Sequence, residues 1–446
     1  MAAKDSVIAL EYTPTLVELA GCIAHLPGFV YLDSGEREGS AELEIVTALP
    51  STTHRLADYS NNLADWMTAV ETELARDNQI GPTDSASPVS SGCIAIGSLD
   101  YDGPAQALSR ADTIPSLTSA GIYHWLLMTH RGTRRTRIVF HPKCSDDTRA
   151  AVMAALNAGN AASTGTFKLK TPFASSISKT QYKEAIERIQ QYILAGDCYQ
   201  VNFAQRFKAE FEGDPWVAYC NARTHLAGGF SAYMAVSEGH AILSLSPERF
   251  LRIEGGVITT QPIKGTAPRH PDPDKDAELA RALLDSEKDR AENIMITDLL
   301  RNDLGQFCDP GSVMVTELCG LHSFGNVHHL ISTVRGTLKS GTTPGQMLLA
   351  SSPGGSITGA PKRRAIEIIA ELESHPRGAY CGSIFLLAGS GWLQSSIAIR
   401  TVEIRDNTLQ CWGGGGITAS SHWEAEYQET LDKVGPIMDA LDAVSS

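Results

Sequence analysis

Lys264 stands alone between an apolar run and a glycine in the stretch TTQPIKGTAPR. The residues before it, GGVITTQPI, are typical of a strand because several of them are β-branched, and we expect that strand to end at Gly265. A lysine at such a position ordinarily lays its stem on apolar surface and keeps its ammonium group in water. A chemical role for Lys264 therefore needs support from other parts of the chain.

Four acidic residues extend or flank the apolar faces of two predicted helices. Asp289 and Glu292 share a face with apolar side chains in DRAENIMITDLLRNDLG, and Glu426 and Glu429 lie three residues apart in HWEAEYQETLDKVGPIMDAL. The helix dipole alone explains the first pair, and an exposed ion pair of Glu429 with Lys433 explains the second. Taken together, four carboxylates from two helices are a suitable oxygen-ligand set for Mg²⁺.

Two glycine-rich segments bring backbone amides to the surface. SSPGGSITGAPK leads into a helix, where free N–H groups attract an anion. Ala360 and Pro361 separate its last glycine from Lys362, so the segment is not a Walker loop. A phosphate ligand is therefore weakly supported, and a carboxylate ligand is an open alternative. The second segment, CWGGGGIT, indicates either a wide turn or a close approach of the backbone to a ligand.

Three further polar residues have no clear role by themselves. Arg400 shares one face of a predicted strand with apolar neighbours, so it needs an acidic partner or the carboxylate of a ligand. His329 in VHHLISTVRG and Tyr380 in RGAYCG are, without further context, ordinary polar groups of the core or surface.

The elements that must position these residues lie in the second part of the chain. Hydrophobic periodicity predicts strands at 231–237, 241–246, 249–262, 311–317, 383–388, 394–404 and 408–412, and helices near 180–194, 277–304, 345–350, 362–374 and 422–443. Short turns between consecutive strands imply antiparallel pairing, so the predicted fold class is α+β. A connector rich in small and polar residues at 157–180 divides an N-terminal region, 1–165, from the region that carries the candidate site, 175–440.

Composition excludes several classes of protein. The chain has 446 residues, 42% of them hydrophobic, which allows a large core. Its net charge of −14 and its lack of basic runs argue against a nucleic-acid partner, and no apolar run is long enough to predict a membrane span. Nine dispersed cysteines without paired spacing suit a reducing cytoplasm.

Ten segments occur in a characteristic order along the chain. They are AGDCYQVNFAQRF, SLSPERF, PIKGTAPR, AENIMITDLLRNDLG, VHHLISTVRG, PGGSITGAPK, RGAYCG, IAIRTVEI, GGGGITA and EAEYQETLDK. Over about residues 175–440 the chain thereby resembles the chorismate-utilising enzyme family. The resemblance implies large antiparallel sheets with helices packed outside them, and chorismate as the substrate.

The resemblance also implies catalytic roles. Lys264 matches a nucleophile that attacks C2 of chorismate with loss of the C4 hydroxyl. Such a lysine must be neutral, which burial favours by lowering its pKa. Glu248 in SPERF matches the general acid that protonates the leaving hydroxyl, and His329 matches a histidine beside the reacting ring.

The same resemblance implies a metal site and a substrate site. Glu292 and Glu429 match Mg²⁺ ligands, with Asp289 and Glu426 beside them through water. Several segments match those that contact chorismate in the family. Their candidate substrate-binding residues are Ser356, Lys362, Tyr380, Arg400, Gly414, Gly415 and Gly416.

Gln200 indicates the second substrate. Family members that activate water carry lysine at this position, whereas members that use ammonia carry glutamine, so the resemblance implies addition of ammonia at C4 and release of 4-amino-4-deoxychorismate. No Gly-x-Cys-x-Gly elbow surrounds a cysteine, so we expect ammonia from solution or from a separate glutamine amidotransferase subunit. The DSG at 33–35 lies where relatives line a tryptophan pocket, which makes tryptophan a further candidate ligand.

Other functions are open at this point. An enzyme of the same family could release anthranilate and pyruvate, although such enzymes typically carry alanine in place of Lys264. A protein that binds an aromatic metabolite without catalysis would keep its function after Lys264→Ala. A nucleotide-binding protein has only the glycine loop in its favour.

Overall fold

The computed structural model describes residues 7–33, 43–78, 89, 91–109, 116–159, 165–226, 228–325 and 327–444. Within these ranges the strands, numbered in chain order, form two large sheets. The first sheet runs in space through β1 (Val7–Leu10), β8 (Arg135–Phe140), β7 (Trp125–His130), β3 (Leu43–Thr47), β2 (Val30–Asp33), β12 (Phe230–Ser237), β13 (His240–Ser246), β22 (Thr401–Arg405), β23 (Thr408–Ile417), β11 (Gln200–Gly213) and β10 (Ala174–Ser175). The short strands β9 (Phe167–Leu169) and β19 (Gly359–Ala360) also pair with β11.

The second sheet is separate from the first. It runs through β16 (Ile263–Pro268), β18 (Val327–Thr337), β15 (Val257–Thr260), β14 (Arg249–Glu254), β21 (Leu393–Ile397), β20 (Ser383–Ala388), β5 (Ile94–Leu99), β6 (Ser119–Tyr123) and β4 (Thr52–Arg55), and β17 (Met314–Phe324) pairs with β18. Every strand pair in the described part of the chain is antiparallel, as the short predicted turns implied.

The α-helices in the described ranges vary from about two to about six turns. They are α1 (Val17–Ile23), α2 (Leu63–Asn78), α3 (Asp102–Ser109), α4 (Asp146–Ala158), α5 (Lys179–Leu194), α6 (Pro215–Leu226), α7 (Pro273–Asp285), α8 (Glu287–Gly305), α9 (Pro344–Ser351), α10 (Lys362–Leu372) and α11 (Trp423–Ala443). The single helix predicted at 277–304 is therefore wrong. Its break falls at Ser286, whose side chain accepts a hydrogen bond from the Asp289 N–H and so caps a new helix.

Side chains that alternate along the strands divide the molecule into layers. On β20, Ile384 and Leu386 belong to the core between the sheets, together with Met234 of the first sheet, whereas Phe385 and Leu387 belong to the outer core of the second sheet. Helices α2 and α9 contribute to that outer core, and α4, α6 and α11 contribute to the outer core of the first sheet. The predicted α+β class, with large antiparallel sheets and helices outside, is confirmed.

The chain crosses from one sheet to the other at two points that matter for the site. The first crossing joins β13 to β14, and Pro247 and Glu248 form it. The second joins β21 to β22 through residues 398–400, so the single strand predicted at 394–404 is wrong. Each half of that segment pairs with a different sheet, and the break between them places Arg400 at the junction of the sheets.

Strands from both sequence regions share both sheets. β2 pairs with β12 in the first sheet, and β5 pairs with β20 in the second. Residues 1–165 thus supply structural neighbours to the strands of residues 175–440. None of the described helices combines the length and hydrophobicity that a membrane span needs.

Candidate active site

A cavity of about 580 Å³ opens where the two sheet crossings meet β16, β23, α8 and α11. Its walls include every predicted site residue except Gln200 and Lys362. The predicted residues that it brings together are Glu248, Lys264, Asp289, Glu292, His329, Ser356, Tyr380, Arg400, Gly414, Gly415, Gly416, Glu426 and Glu429. Segments that are far apart in the sequence therefore meet around one space.

Lys264 lies inside β16, although the sequence predicted that its strand would end at Gly265. β15 stops at Thr260, and β16 then continues through Gly265 to Pro268 while pairing with β18. Gly265 has a backbone φ of 90°, which glycine adopts readily, and a Cβ there would lie 3.0 Å from Cβ of Asp289. The glycine thus allows the strand that carries Lys264 to pass close to α8.

The surroundings of Lys264 favour its neutral amine. Burial lowers the pKa of Lys264, and the ammonium group of Lys433 lowers it further, while the carboxylates of Glu292, Glu248 and Glu429 act in the opposite direction. A neutral amine has the free electron pair that attack on a carbon atom requires.

Glu248 is a buried carboxyl group at the first sheet crossing. Only 6% of the residue is exposed, and the Ser356 hydroxyl donates a 3.0 Å hydrogen bond to its Oε1. Burial raises the pKa of Glu248 to about 7, although the charges of Lys264 and Arg400 and the Ser356 hydrogen bond act against this rise. A large fraction of Glu248 therefore carries a proton at neutral pH and can donate it.

His329 is fixed beside Lys264 by a contact between two strands. His329 of β18 and Thr266 of β16 are paired in the sheet, and the Thr266 hydroxyl and Nδ1 of His329 share a hydrogen bond of 2.8 Å. The residue is buried. This contact orients the imidazole ring at the wall of the cavity.

Four carboxylates on α8 and α11 line the same cavity and influence one another. Burial raises the pKa of Glu292, and the charges of Asp289 and Glu429 raise it further against the lowering effect of nearby lysines. Burial likewise raises the pKa of Glu426, with a further contribution from Glu429. Carboxylates that resist ionisation in this way gain stability from a cation between them.

Specific contacts hold the two carboxylates of α11. The Ser421 hydroxyl donates a 2.7 Å hydrogen bond to Glu426, and the Lys433 ammonium donates hydrogen bonds to Glu429 at 2.6 Å and to the Gly414 carbonyl at 2.8 Å. Burial opposes ionisation of Glu429, but the charge and hydrogen bond of Lys433 outweigh it and lower the pKa overall. Lys433, which forms the ion pair expected on this helix, thus also lines the cavity.

These residues fit Mg²⁺. The ion takes oxygen ligands, is commonly held by one or two carboxylates, and keeps several waters. Glu292 and Glu429, from opposite helices, would supply the direct ligands, and Asp289 and Glu426 would bind its waters.

The other wall of the cavity is formed by Arg400 and its neighbours. Arg400 has a left-handed backbone with a φ of 51°, which is uncommon for a residue other than glycine. The Leu245 N–H donates a 3.0 Å hydrogen bond to the Arg400 carbonyl, and the Ile397 N–H donates one of 3.2 Å to the Glu248 carbonyl. The two sheet crossings are therefore hydrogen-bonded to each other, which fixes Arg400 and Glu248 on one frame.

The glycines of CWGGGGIT lie inside β23 and not in the wide turn that was one of the two expectations. Gly414 is paired with Ala204 of β11, and a Cβ on Gly414 would come within 2.7 Å of the Ala204 Cβ. The lack of side chains lets β23 lie against β11 and leaves its backbone on the cavity wall. Beside it, the rings of Tyr380 and Trp412 stack with centroids 5.9 Å apart.

Gln200 and Lys362 do not line the cavity. Gln200 is fully buried behind Gly416, where a Cβ would lie 2.5 Å from its amide nitrogen, and neither amide atom has a hydrogen-bond partner in the described part of the chain. The Lys362 ammonium instead donates a 2.6 Å hydrogen bond to Asp303 of α8, with Ser351 as a second acceptor. Its charge is thus neutralised away from the predicted substrate contact.

Sequence reasoning missed Arg377, a buried residue directly behind the cavity. Its guanidinium donates hydrogen bonds to the carbonyls of Ile357 at 3.0 Å and Asn202 at 2.9 Å, and both of these residues line the cavity. Glu373 accepts two more hydrogen bonds from the same group. The only signal in the sequence is the position of Arg377 at the start of the RGAYCG segment.

The DSG segment is only partly described. Asp33 is buried at the end of β2 and forms an ion pair with Arg223 at 2.6 Å. Ser34 and Gly35 lie outside the described residues, so tryptophan binding there stays a prediction.

Comparisons with known proteins agree with this geometry. A family model described as a chorismate binding enzyme matches residues 29–439. The aminodeoxychorismate synthase component 1 of Klebsiella aerogenes is 43% identical over 99% of this chain and 100% of its own length. This chain belongs to the chorismate binding enzyme family.

Two further proteins resemble a smaller part of this chain or its fold alone. The anthranilate synthase component 1 of Streptomyces coelicolor is 37% identical over 60% of this chain and 53% of its own length. The menaquinone-specific isochorismate synthase of Escherichia coli has a similar structure, with a TM-score of 0.76 over 98% of this chain and 94% of that chain, at 19% identity.

Proposed function

We propose that this chain is the large subunit of an aminodeoxychorismate synthase, which converts chorismate and ammonia to 4-amino-4-deoxychorismate and water for p-aminobenzoate and folate synthesis. The observation that carries the proposal is that one cavity holds Lys264, with its lowered pKa, and Glu248, with a pKa of about 7. Similarity over the full length to the Klebsiella enzyme of that name supports the same reaction.

In the first step Lys264 attacks C2 of chorismate. The electron pair of its neutral amine forms the new C–N bond, the ring double bonds shift toward C4, and the C4 hydroxyl leaves as water after taking a proton from Glu248. His329 and its Thr266 contact hold the wall beside the ring.

In the second step ammonia adds at C4. The double bonds shift back and expel the Lys264 amine from C2, so the enolpyruvyl group stays on the ring. Excess protons pass to Glu248 and solvent, which returns both side chains to their starting states.

Binding of chorismate relies on its two carboxylates. Arg400 and the backbone of Gly414, Gly415 and Gly416 supply positive charge and N–H donors on one wall, with Ser356 and Tyr380 beside them. Glu292 and Glu429 would hold Mg²⁺, which would supply positive charge for a carboxylate of the substrate. Together these groups orient C2 toward Lys264.

Gln200 supports ammonia as the second substrate. Its buried amide, unpaired within the described residues, cannot act as a strong base for water, whereas a lysine there could. Ammonia would come from a glutamine amidotransferase subunit, a partner that the designation of the Klebsiella relative as component 1 favours. All nine cysteines are free, which suits a cytoplasmic enzyme.

Product analysis tests this function. The purified chain is incubated with chorismate, ammonium and Mg²⁺. The products are separated by chromatography and identified by mass spectrometry. An amino acid that retains the enolpyruvyl group is expected. Anthranilate with an equal amount of pyruvate would instead identify the alternative family reaction, and unchanged chorismate would favour a binding protein.

A further inference from the structure

Three potential metal ligands meet in the N-terminal part of the molecule, away from the active-site cavity. Asp77 lies at the end of α2, Cys93 directly before β5, and His124 between β6 and β7. One donor atom from each lies within 4.8 Å of the other two, and Asp77 and Cys93 are almost completely buried. The group joins a helix to strands of both sheets.

The two oxygens of Asp77 have different partners. Oδ1 accepts hydrogen bonds from the Lys143 ammonium and from the Arg76 guanidinium, the latter at 3.0 Å. Oδ2 contacts Nε2 of His124 at 2.8 Å. Oδ1 is thus held by cations, as the second oxygen of a metal-bound carboxylate often is, and Oδ2 is the oxygen that is available as a ligand.

A metal ion can replace the proton shared by Asp77 and His124. Zinc binds nitrogen and carboxylate oxygen at about 2.0–2.2 Å, and tetrahedral geometry then sets these two donors about 3.3 Å apart. The observed 2.8 Å must widen by roughly half an ångström, which is a small movement for two side chains.

The donors specify the kind of metal. A thiol sulfur, an imidazole nitrogen and one carboxylate oxygen suit Zn²⁺ and similar transition metals, whereas Mg²⁺ and Ca²⁺ prefer oxygen donors alone. The site therefore differs in chemistry from the carboxylates of α8 and α11.

A second buried imidazole lies next to this group. The ring of His141 stacks on that of His124 with centroids 5.3 Å apart, and its buried Nε2 has no hydrogen-bond partner in the described part of the chain.

A groove open to solvent reaches one of the three ligands, His124. His124 and Lys143 are part of its wall, together with Ser145 and Thr148 of the adjacent loop and helix, and its volume is about 910 Å³. The walls of this groove and those of the active-site cavity have no residue in common.

We propose that Asp77, Cys93 and His124 bind one Zn²⁺ ion, with a water molecule as the fourth ligand. Binding of the metal releases the thiol proton of Cys93 to solvent, because the thiolate is the ligand. Lys143 and Arg76 remain on Oδ1 of Asp77. The ion ties α2 to both sheets and thereby stabilises the fold.

Cobalt substitution tests the site because Co²⁺ bound to a thiolate has an intense sulfur-to-metal absorption band in the near ultraviolet. Co²⁺ is titrated into the full-length metal-free protein, and into Cys93→Ser and the control Cys220→Ser. We expect the band in the wild type and in Cys220→Ser, its loss in Cys93→Ser, and its displacement by one equivalent of Zn²⁺. Co²⁺ at the oxygen ligands of the active site cannot produce this band.

Two results would overturn the proposal. One is a wild-type protein that binds Co²⁺ without a thiolate band, which would mean that Lys143 and Arg76 neutralise Asp77 permanently. The other is a band that persists in Cys93→Ser. A second variant, His124→Gln, checks the result against misfolding: it retains Cys93, and we expect it to fold by circular dichroism and to bind Zn²⁺ at least about tenfold more weakly.

Discussion

The Ser356 hydroxyl donates a 3.0 Å hydrogen bond to Oε1 of Glu248 at the point where the chain crosses between the sheets. This bond favours the ionised carboxylate, yet burial raises the pKa of Glu248 to about 7. The crossing therefore keeps an acid protonated near neutral pH and turns it toward the cavity that holds Lys264.

Glu248 should set the alkaline side of the pH profile. Because the reaction needs its proton, kcat/KM is expected to fall as the pH rises above about 7. The glutamine side chain in Glu248→Gln has nearly the shape of glutamic acid but cannot donate the proton. We therefore expect kcat/KM to fall by about 100-fold or more at pH 7. Steady-state rates with chorismate and ammonium from pH 6 to about 9 measure both effects; an unchanged profile in Glu248→Gln would contradict the assignment.

The same carboxyl group makes a prediction about stability. Its folded pKa lies above the ordinary value of 4.5, so the folded protein binds more protons than the unfolded chain between these two values. The contribution of Glu248 to stability is therefore present at low pH and is lost as the pH rises through about 7, by up to about 3 kcal/mol. Glu248→Gln should gain stability relative to the wild type between pH 5 and about 8 in urea unfolding, whereas the exposed control Glu424→Gln should not.

Lys264→Ala should remove the proposed nucleophile but leave chorismate binding intact. The variant is expected to lose most of its aminodeoxychorismate synthesis, while its affinity for chorismate changes little because Arg400 and the glycine backbone are intact. Quenched wild-type enzyme should show a Lys264 peptide that carries chorismate minus water by mass spectrometry. Lys339→Ala is the control, because the Lys339 amine donates a hydrogen bond to the Gln306 carbonyl at the surface. Full activity in Lys264→Ala would rule out covalent catalysis.

Local sequence signals located four of the five predicted helices well. The expected helices at 362–374 and 422–443 agree with α10 and α11 to within two residues, because their apolar faces repeat with helical spacing. The break at 398–400 had no such signal. It lies in a continuous run of strand-forming residues, and the partners that draw its two halves into different sheets are distant in sequence.

The sequence predicted which residues form the candidate site better than it predicted where their side chains lie. The motifs identified the side chains that gather in the cavity, but Lys362 is held by Asp303, a residue 59 positions away that no local pattern links to it. Lys433 shows the opposite case. Its spacing from Glu429 indicated an ordinary surface pair, and only the fold of α11 against β23 brings it to the Gly414 carbonyl.

The Mg²⁺ requirement should depend on Glu292. Glu292→Gln removes one of the two charged ligands that we propose but leaves Glu429 in place, so we expect activity to need at least about tenfold more Mg²⁺ for half-saturation. Removal of the metal with a chelator should abolish wild-type activity, and added Mg²⁺ should restore it. Glu424→Gln, on the exposed face of α11, should behave as the wild type. An unaltered Mg²⁺ titration in Glu292→Gln would place the ion elsewhere.

Arg377 should act as a positioning residue for the substrate. Its planar guanidinium joins the Ile357 carbonyl, next to Ser356, to the Asn202 carbonyl on β11, and lysine cannot reproduce this fork of donors. In Arg377→Lys the charge opposite Glu373 persists, but the Ser356 loop and β11 lose their common anchor. We expect KM for chorismate to rise and kcat/KM to fall by up to about 100-fold. Arg363→Lys, on the exposed face of α10, is the matched control. If Arg377→Lys lowers only the melting temperature and leaves KM unchanged, the residue serves the fold alone.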